Sequence, residues 1–471
     1  MNLITKSFIF LTLYTFSVFS FSIVNAQNLT QVLKGNIVDI ETQTTLPGAT
    51  VVILGTNPML GVASDMDGNY RINSVPLGRY NIQIDFIGYE PVVIPEMLFT
   101  SSKEVVLNVG LKQSITSIEE VVVKAHSRKD RPVNSMASIS AKSFTVEETR
   151  RYAGGMDDPA RMASAFAGVT VGSMQDNAII IRGNSPKGVS WRLEGVEIPN
   201  PNHFAGGNVA GGGFITIFSS QLLTNSDFFT GAFPAEYGNA LAGVFDMKLR
   251  SGNNEKREST IQLGVLGIDF ASEGPFVKGG KSSYLFNYRY STFGLLSKMG
   301  ILPSAQVPRF QDLSFKLNFP TKKAGAFSVW GIGAIDFNQE PVKRDSSKWT
   351  TNWDRNSYDW DLDMGAAGAT HKIILGKQTY LNTSISASGT VFKIDMKRFD
   401  DSLTLRPNQS LADKSGRVGL NTFINHKFTA RHTIRTGLNY SKILYNIDLS
   451  STINEDPETF QNFVKQNGSS D

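Results

Sequence analysis

Beyond residue 252 the chain alternates. Ile261, Leu263 and Val265 are separated by Gln262 and Gly264, and Tyr284, Phe286, Tyr288 and Tyr290 by Leu285, Asn287 and Arg289. Leu313, Phe315, Leu317 and Phe319 interleave with Ser314, Lys316 and Asn318, and Trp360, Leu362 and Met364 with Asp359, Asp361 and Asp363. Val418, Leu420, Thr422 and Ile424, then Ile434, Leu438 and Tyr440, carry the pattern on. Successive side chains of a strand point to opposite faces, so each run has one apolar face and one polar or small face. The expectation is part of an antiparallel barrel, apolar outward and polar toward a lumen. Connections at 278–281, 321–325, 375–378 and 429–432 are short, and those at 292–309, 338–358 and 397–414 are long. Short turns at one end and long loops at the other suit a transmembrane barrel. Trp330, Trp349, Trp353 and Trp360 would serve as interfacial girdles. About nine strands fit after residue 252, and the polar run Gln466–Asp471 closes the sequence. The expectation is therefore a fragment, with too few strands to close a barrel by itself.

Ahead of the barrel the periodicity is shorter. Between Gln31 and Leu111, β-rich runs recur at Val32–Val38, Ala49–Leu54, Tyr70–Val75, Arg79–Phe86, Val92–Ile94 and Glu104–Leu111. Pro47-Gly48, Asp67-Gly68, Pro76-Leu77-Gly78 and Ile87-Gly88 punctuate them, which predicts a small β-sandwich over 27–113. Asp65-Met66-Asp67-Gly68-Asn69 reads as a hairpin turn, since it lacks the further acidic ligands of an EF-hand. At the N-terminus, Lys6, the apolar run Phe8–Val24 and the small residues Val24-Asn25-Ala26 predict a signal peptide over 1–26.

Residues 114–137 form a linker containing Ser117-Ile118-Glu119-Glu120-Val121-Val122-Val123-Lys124. Three β-branched residues favour extended backbone. One reading is a further sandwich strand; the other is a free strand that adds to a partner's sheet. Over 138–252, Thr145-Val146-Glu147-Glu148 fits a capping box. Asp158-Pro159 followed by Ala160–Ala167 and Gly168 predicts a second helix with an N-cap and a C-terminal stop. Short strands then alternate with glycine-rich turns, including Gly206-Gly207 and Gly211-Gly212-Gly213.

Four pieces of this stretch occur in a telling order: Ile181-Arg182-Gly183, Leu193-Glu194-Gly195-Val196-Glu197-Ile198-Pro199, Ala235-Glu236-Tyr237-Gly238 and Gly243–Leu249. Together they resemble the plug domain of TonB-dependent outer-membrane receptors. Gly48–Val51, Ser64–Tyr70 and Gly78–Pro91 resemble the carboxypeptidase-regulatory-like sandwich, which is non-catalytic and precedes such receptors in bacteroidetes-type bacteria. Glu119-Glu120-Val121-Val122-Val123 resembles a Ton box. The resemblance implies a mainly β protein: signal peptide, sandwich, Ton box and linker, α+β plug, and part of a barrel (253–471) of about 22 strands in the family. It implies import of a large nutrient, such as an iron chelate, cobalamin, oligosaccharide or peptide. TonB and its inner-membrane energising complex would pull on the Ton box, with outer-membrane lipid and a surface lipoprotein as further partners. The plug motif residues would be Arg182, Gly183, Leu193, Glu194, Gly195, Glu236, Tyr237 and Gly238. The sandwich would lie in the periplasm. The rival reading is a surface binding or adhesion protein that moves nothing.

Composition narrows the chemistry. The 471 residues suit about three domains. The chain has no cysteine, which removes thiolate metal sites, disulfides and a cysteine nucleophile. A formal charge of +4 does not suggest nucleic acid. Gly279-Gly280-Lys281-Ser282 resembles a P-loop tail, but the first glycine would be Pro275. His126, His203, His371, His426 and His432 show no metal spacing, and there is no nucleophile elbow. Asp359, Asp361 and Asp363 share a face, read as an acidic patch in the lumen or a cation site there. The expectation is a non-enzyme with no cofactor and no metal.

Overall fold

The computed structural model describes residues 29–115, 132–137, 140–144, 149, 155, 158–172, 176–206, 209–219, 222–264, 266–301 and 308–470. The signal segment 1–26, the Glu119–Val123 segment, the capping box at 145–148 and the outward position expected for Val265 lie outside the described residues. Three β units follow one another along the chain.

The first is a sandwich. Its strands are β1 (Thr30–Asp39), β2 (Thr50–Leu54), β3 (Leu60–Ala63), β4 (Asn69–Pro76), β5 (Gly78–Asp85), β6 (Val92–Phe99), β7 (Val105–Val106) and β8 (Val109–Leu111). One sheet runs β4-β1-β7 with β8 also on β1, and the other runs β3-β2-β5-β6. Alternate residues point between the sheets, so Leu33, Ile37, Val51, Ile53, Ile72, Ile82 and Ile84 form the core. The Asp65–Asn69 segment is a turn, with the Asp65 carboxylate accepting the N–H groups of Asp67 (2.9 Å) and Asn69 (2.8 Å). It is not a hairpin, because β3 and β4 belong to different sheets.

The second unit comprises β9 (Ala141–Phe144), α1 (Pro159–Ala163), β10 (Val169–Val171), β11 (Ile179–Ile181), β12 (Val189–Leu193), β13 (Val196–Ile198), β14 (Ser226–Phe229) and β15 (Gly243–Met247). Its sheet is ordered β13-β12-β15-β14-β9, and β10 pairs with β11 separately. All residues of β12, β14 and β15 are buried, as expected of strands covered on both faces. Asp158 caps α1 through Ala160 N at 2.8 Å, with Pro159 in the first turn. The helix stops at Ala163, short of the expected Ala167, and the chain turns to Gly168 at φ +79°.

The third unit is a wall: β16 (Glu258–Leu263), β17 (Ile268–Pro275), β18 (Ser283–Tyr290), the short α2 (Phe293–Lys298), β19 (Arg309–Pro320), β20 (Ala326–Glu340), β21 (Asn356–Gly376), β22 (Thr379–Phe399), β23 (Leu405–Thr429), β24 (His432–Ile453) and β25 (Asp456–Ser470). All ten strands pair antiparallel in chain order, with β16 and β25 at the two edges. The second unit packs against one face of this wall and is called the plug below.

Alternation sets the faces of most wall strands as expected. Ser314 and Asn287 are fully buried toward the plug, while Leu313, Tyr290, Val418 and Leu438 are exposed on the other side. On β21 the expectation is inverted. Leu362 and Met364 are buried, and Trp360 lies against Phe204 of the plug at 5.3 Å between rings. Asp363 pairs in register with Ile335, which is 53% exposed on the outer face. Asp359, Asp361 and Asp363 therefore face away from the lumen and form no acidic patch inside it. The reason is the plug, whose apolar surface needs apolar partners on the wall. Trp330, fully buried in the core shared with the plug, is likewise no girdle residue, and neither is Trp360. The expected long loop at 397–414 is also absent. β22 and β23 continue as one hairpin, closed by a turn in which Asp400 accepts the N–H groups of Ser402 (3.0 Å) and Thr404 (2.8 Å).

Candidate functional site at the plug–wall interface

The β12–β13 hairpin turns on Glu194 and Gly195, with Leu193 paired to Val196. Both central residues have positive φ, +52° and +85°, as a two-residue hairpin turn demands. The turn thrusts the Glu194 carboxylate at the wall. There Glu194 accepts from Lys316 Nζ of β19 at 2.9 Å and from Leu249 N at 2.7 Å. Lys316 also donates to the Leu249 carbonyl at 2.8 Å. Leu193 is fully buried in the plug core, and Arg192 closes the turn through the Gly195 carbonyl at 2.7 Å.

A second clasp forms at Glu236. Its carboxylate accepts from Arg435 of β24 at 2.8 and 3.0 Å and from Asn134 Nδ2 at 2.6 Å. Tyr237 donates to Asp246 at 2.8 Å and accepts from Asn134 at 2.8 Å. Burial, together with the neighbouring Asp246 and Glu236 carboxylates, pushes the Tyr237 phenol far above its ordinary range, so it stays a donor. Gly238 follows in the same turn. Arg182 and Gly183 sit elsewhere, at the end of β11, with positive φ at both and the Arg182 N–H on the Gly168 carbonyl at 2.8 Å. The motif residues are thus brought to two wall clasps and one exposed plug turn.

A third clasp was not legible in the sequence. His203 is fully buried, its Nδ1 2.5 Å from Asp336 of β20 and its Nε2 3.0 Å from Asp312 of β19. Arg289 of β18 binds Asp312 at 2.7 Å and the Thr216 carbonyl at 2.6 Å, and Phe204 N donates to Asp336 at 2.6 Å. Burial alone would lower the His203 pKa, but the two carboxylates raise it above the ordinary value, favouring the imidazolium. A lone histidine between Asn202 and Phe204 carries no periodic signal. Only the inward parity of Asp312, two residues before Ser314, hinted at it. Two further ion pairs tie plug and wall: Arg417 to Glu197 at 2.6 Å, and Arg250 to Glu273 in a bidentate pair at 2.6 Å.

Chemically these are fasteners. Each places full charges at a largely buried interface where every one has a counter-charge, so separation leaves charges that only water can satisfy. Beside the His203 clasp, Phe204, Phe214, Phe293, Phe310 and Trp360 pack with Ile215 in a largely aromatic cluster. Among the described residues, no group of three or more His, Asp or Glu is placed to hold a metal.

Residues 33–123 match the carboxypeptidase-regulatory-like domain family, a match that runs past the sandwich over Glu119–Val123. The chain is 24% identical over 221 residues to the TonB-dependent transporter Oar of Myxococcus xanthus. That alignment covers 46% of this chain and 20% of the relative, so this chain spans about a fifth of that protein's length. Among solved structures, it resembles the pyoverdine outer membrane receptor FpvA of Pseudomonas aeruginosa PAO1 (12% identity, 70% of this chain and 50% of that one, TM-score 0.49). It also resembles BauA, the ferric preacinetobactin receptor of Acinetobacter baumannii (14% identity, 70% and 50%, TM-score 0.45). The chain therefore combines a carboxypeptidase-regulatory-like domain with a mainly β body, and just under half of it is similar in sequence to a TonB-dependent transporter.

Proposed function

We propose that this protein is a TonB-dependent outer-membrane receptor that imports a large nutrient into the periplasm. The observation that carries the reading is a folded plug fastened by ion pairs to one face of a ten-stranded wall. Such a plug blocks passive flow, and both its ion pairs with the wall and the apolar core it shares with the wall must part before it can move. An adhesion protein has no use for a releasable obstruction. Glu194, Glu236 and Tyr237 hold the plug in place. Leu193, Gly195 and Gly238 shape the turns and core that aim them, and Arg182 and Gly183 shape a separate exposed turn of the plug. The sandwich and the short-turn end of the wall lie on the periplasmic side. Glu119–Val123 is the strand that TonB captures, through main-chain hydrogen bonds.

The domain match over Glu119–Val123 supports the other use of that segment, as a sandwich strand. Proline at Val122 separates the two, because it removes an N–H and restricts Val121 as well. Since the chain has no cysteine, a cysteine at Val121 gives a clean cross-link to TonB in intact cells. The expected result is loss of that cross-link in Val122→Pro at normal outer-membrane abundance. Alanine at the same position should weaken it only partly. An unchanged cross-link at normal abundance removes the segment as the Ton box, and a fall in abundance assigns it to the sandwich.

A further inference from the structure

The loop that follows β1 leaves the sandwich and enters the wall. Asp39 and Glu41 are 2% and 6% exposed. Lys427 of β23 lies 2.7 Å from Asp39 and 3.0 Å from Glu41. Asn425 donates to the Glu41 carbonyl at 2.6 Å, and Lys372 of β21 donates to the Gln43 side chain at 3.0 Å. Asn425 and Lys427 share the inward parity of Asn421, and Lys372 that of Met364 and Leu362. All three lie beside the short turns that join β21 to β22 and β23 to β24. The loop thus occupies the lumen side of the wall at its short-turn mouth.

The loop holds its shape without the wall. Asp39 accepts the N–H groups of Glu41 at 2.8 Å and Thr42 at 3.0 Å, and Gln43 N donates to the Asp39 carbonyl at 2.8 Å. Its contacts with the wall are polar. Among the described residues the sandwich core includes no wall side chain. A second attachment lies at the same short-turn end, beside the β16–β17 edge of the wall. There Lys34, Arg71 and Glu104 bind Asn253, Glu255 and Lys256 of the plug-to-wall connector, and Lys103 binds Glu273. That attachment is to the sandwich's own downstream chain, so it can persist when the first is broken.

We propose that the Asp39–Leu46 loop is a removable stopper of the short-turn mouth. It is latched by the ion pairs of Lys427 with Asp39 and Glu41, and it withdraws from β21 and β23 while the Glu104 side stays attached whenever cargo leaves the lumen. The proposal rests on the receptor reading above. It needs the latch to be ionic, because parting such a contact in water exposes groups that hydrate readily, whereas parting an apolar contact would not.

The test uses Gln43→Cys with Lys372→Cys, whose native side chains touch, in the otherwise cysteine-free protein in its outer membrane. A short bismaleimide is added to cells in peptide-rich medium, with or without a protonophore. Cross-linking should be near complete in de-energised cells and fall about tenfold in energised ones. Adding Lys427→Glu should abolish it in both, and Glu41→Lys together with Asp39→Asn in the same chain should restore it, which separates unlatching from misfolding. Equal yields with and without the gradient, while a Val121→Cys cross-link to TonB still forms, overturn the stopper and leave the receptor reading standing. Loss of the TonB cross-link with the charge swap still effective overturns the receptor reading, and gradient-driven withdrawal falls with it. Failure of the charge swap to restore the cross-link overturns the latch.

Discussion

Replacing Glu104 with glutamine tests how firmly the sandwich is attached. The Glu104 side chain is 3% exposed and lies 2.8 Å from Lys34, 2.7 Å from Lys256 and 3.2 Å from Arg71. Burial opposes its ionisation, but Lys256 and Lys34 overcome that and hold its pKa at about 2, against an ordinary 4.5. That difference corresponds to about 3 kcal/mol favouring the folded carboxylate at neutral pH. Lys256 is 59% exposed and Arg71 35%, so solvent screening reduces the working figure to about 2 kcal/mol. The stabilisation is complete above pH 4.5 and is lost as the pH falls toward 2, because the folded pKa is the depressed one. Glutamine keeps the shape and removes the charge. Hydrogen exchange of residues 30–39 and 105–111 in the detergent-solubilised protein should therefore be about 30-fold faster in Glu104→Gln at pH 7. The gap between variant and wild type should shrink to less than half in free energy by pH 3. Equal protection at pH 7, or a gap unchanged at pH 3, would refute the argument.

Three further outcomes follow from the interface. Phe315→Arg puts a cation on the outer face at a cost of about 2–4 kcal/mol and should block assembly, whereas Ser314→Ala, facing the plug without a hydrogen-bond partner, should be mild; heat-modifiable mobility on gels reads both. His203→Ala leaves Asp312 without its imidazole partner and Asp336 with only a backbone donor, and should loosen the 200–216 loop to proteolysis by about 3 kcal/mol or more. In the wild type the imidazolium's contribution is complete below pH 6.5 and is lost as pH rises through the higher folded value, so alkaline pH should mimic the mutation. Gly243→Ala places a methyl 2.2 Å from Ile181 Cδ1 and 2.8 Å from the Phe229 carbonyl, and should lower the denaturation midpoint of the plug by about 1–3 kcal/mol equivalent.

How much was legible depended on whether the information was local. Ser314 against Phe315 could be read because a period of two fixes opposite faces. Which face is inside is not a local property. On β21 the choice was made by Phe204, over 150 positions earlier in the chain, and the acidic residues went outside. The hairpin at Asp400 was hidden because its flanks, Lys397 and Arg398 on one side and Arg406, Asn408 and Gln409 on the other, carry polar side chains on both faces. β3, four residues with a glycine, was too short to register. The plug motifs singled out Glu194 and Glu236, yet nothing in them names Lys316 or Arg435 as their partners. The latch at Lys427 joins residues nearly the whole chain apart, and no pattern in the sequence links them.

The core shared by plug and wall bears on how the protein is built. Trp191, Phe245, Met247 and Leu222 of the plug pack in one cluster with Leu285, Trp330, Ile332, Met364 and Ala366 of the wall. The plug is synthesised first, but its apolar surface is completed only by strands that follow it by 40 to 180 residues. Contacts so distant in sequence form slowly, and until they form the plug presents aromatic side chains to its surroundings. An exported chain of this design would need a holdase to escort it, and insertion of the wall would have to proceed around the plug rather than ahead of it. The same logic makes the isolated plug a poor candidate for independent expression. Its missing half is the inner lining of the wall, and without it the most exposed residues would be those that bind most readily to one another.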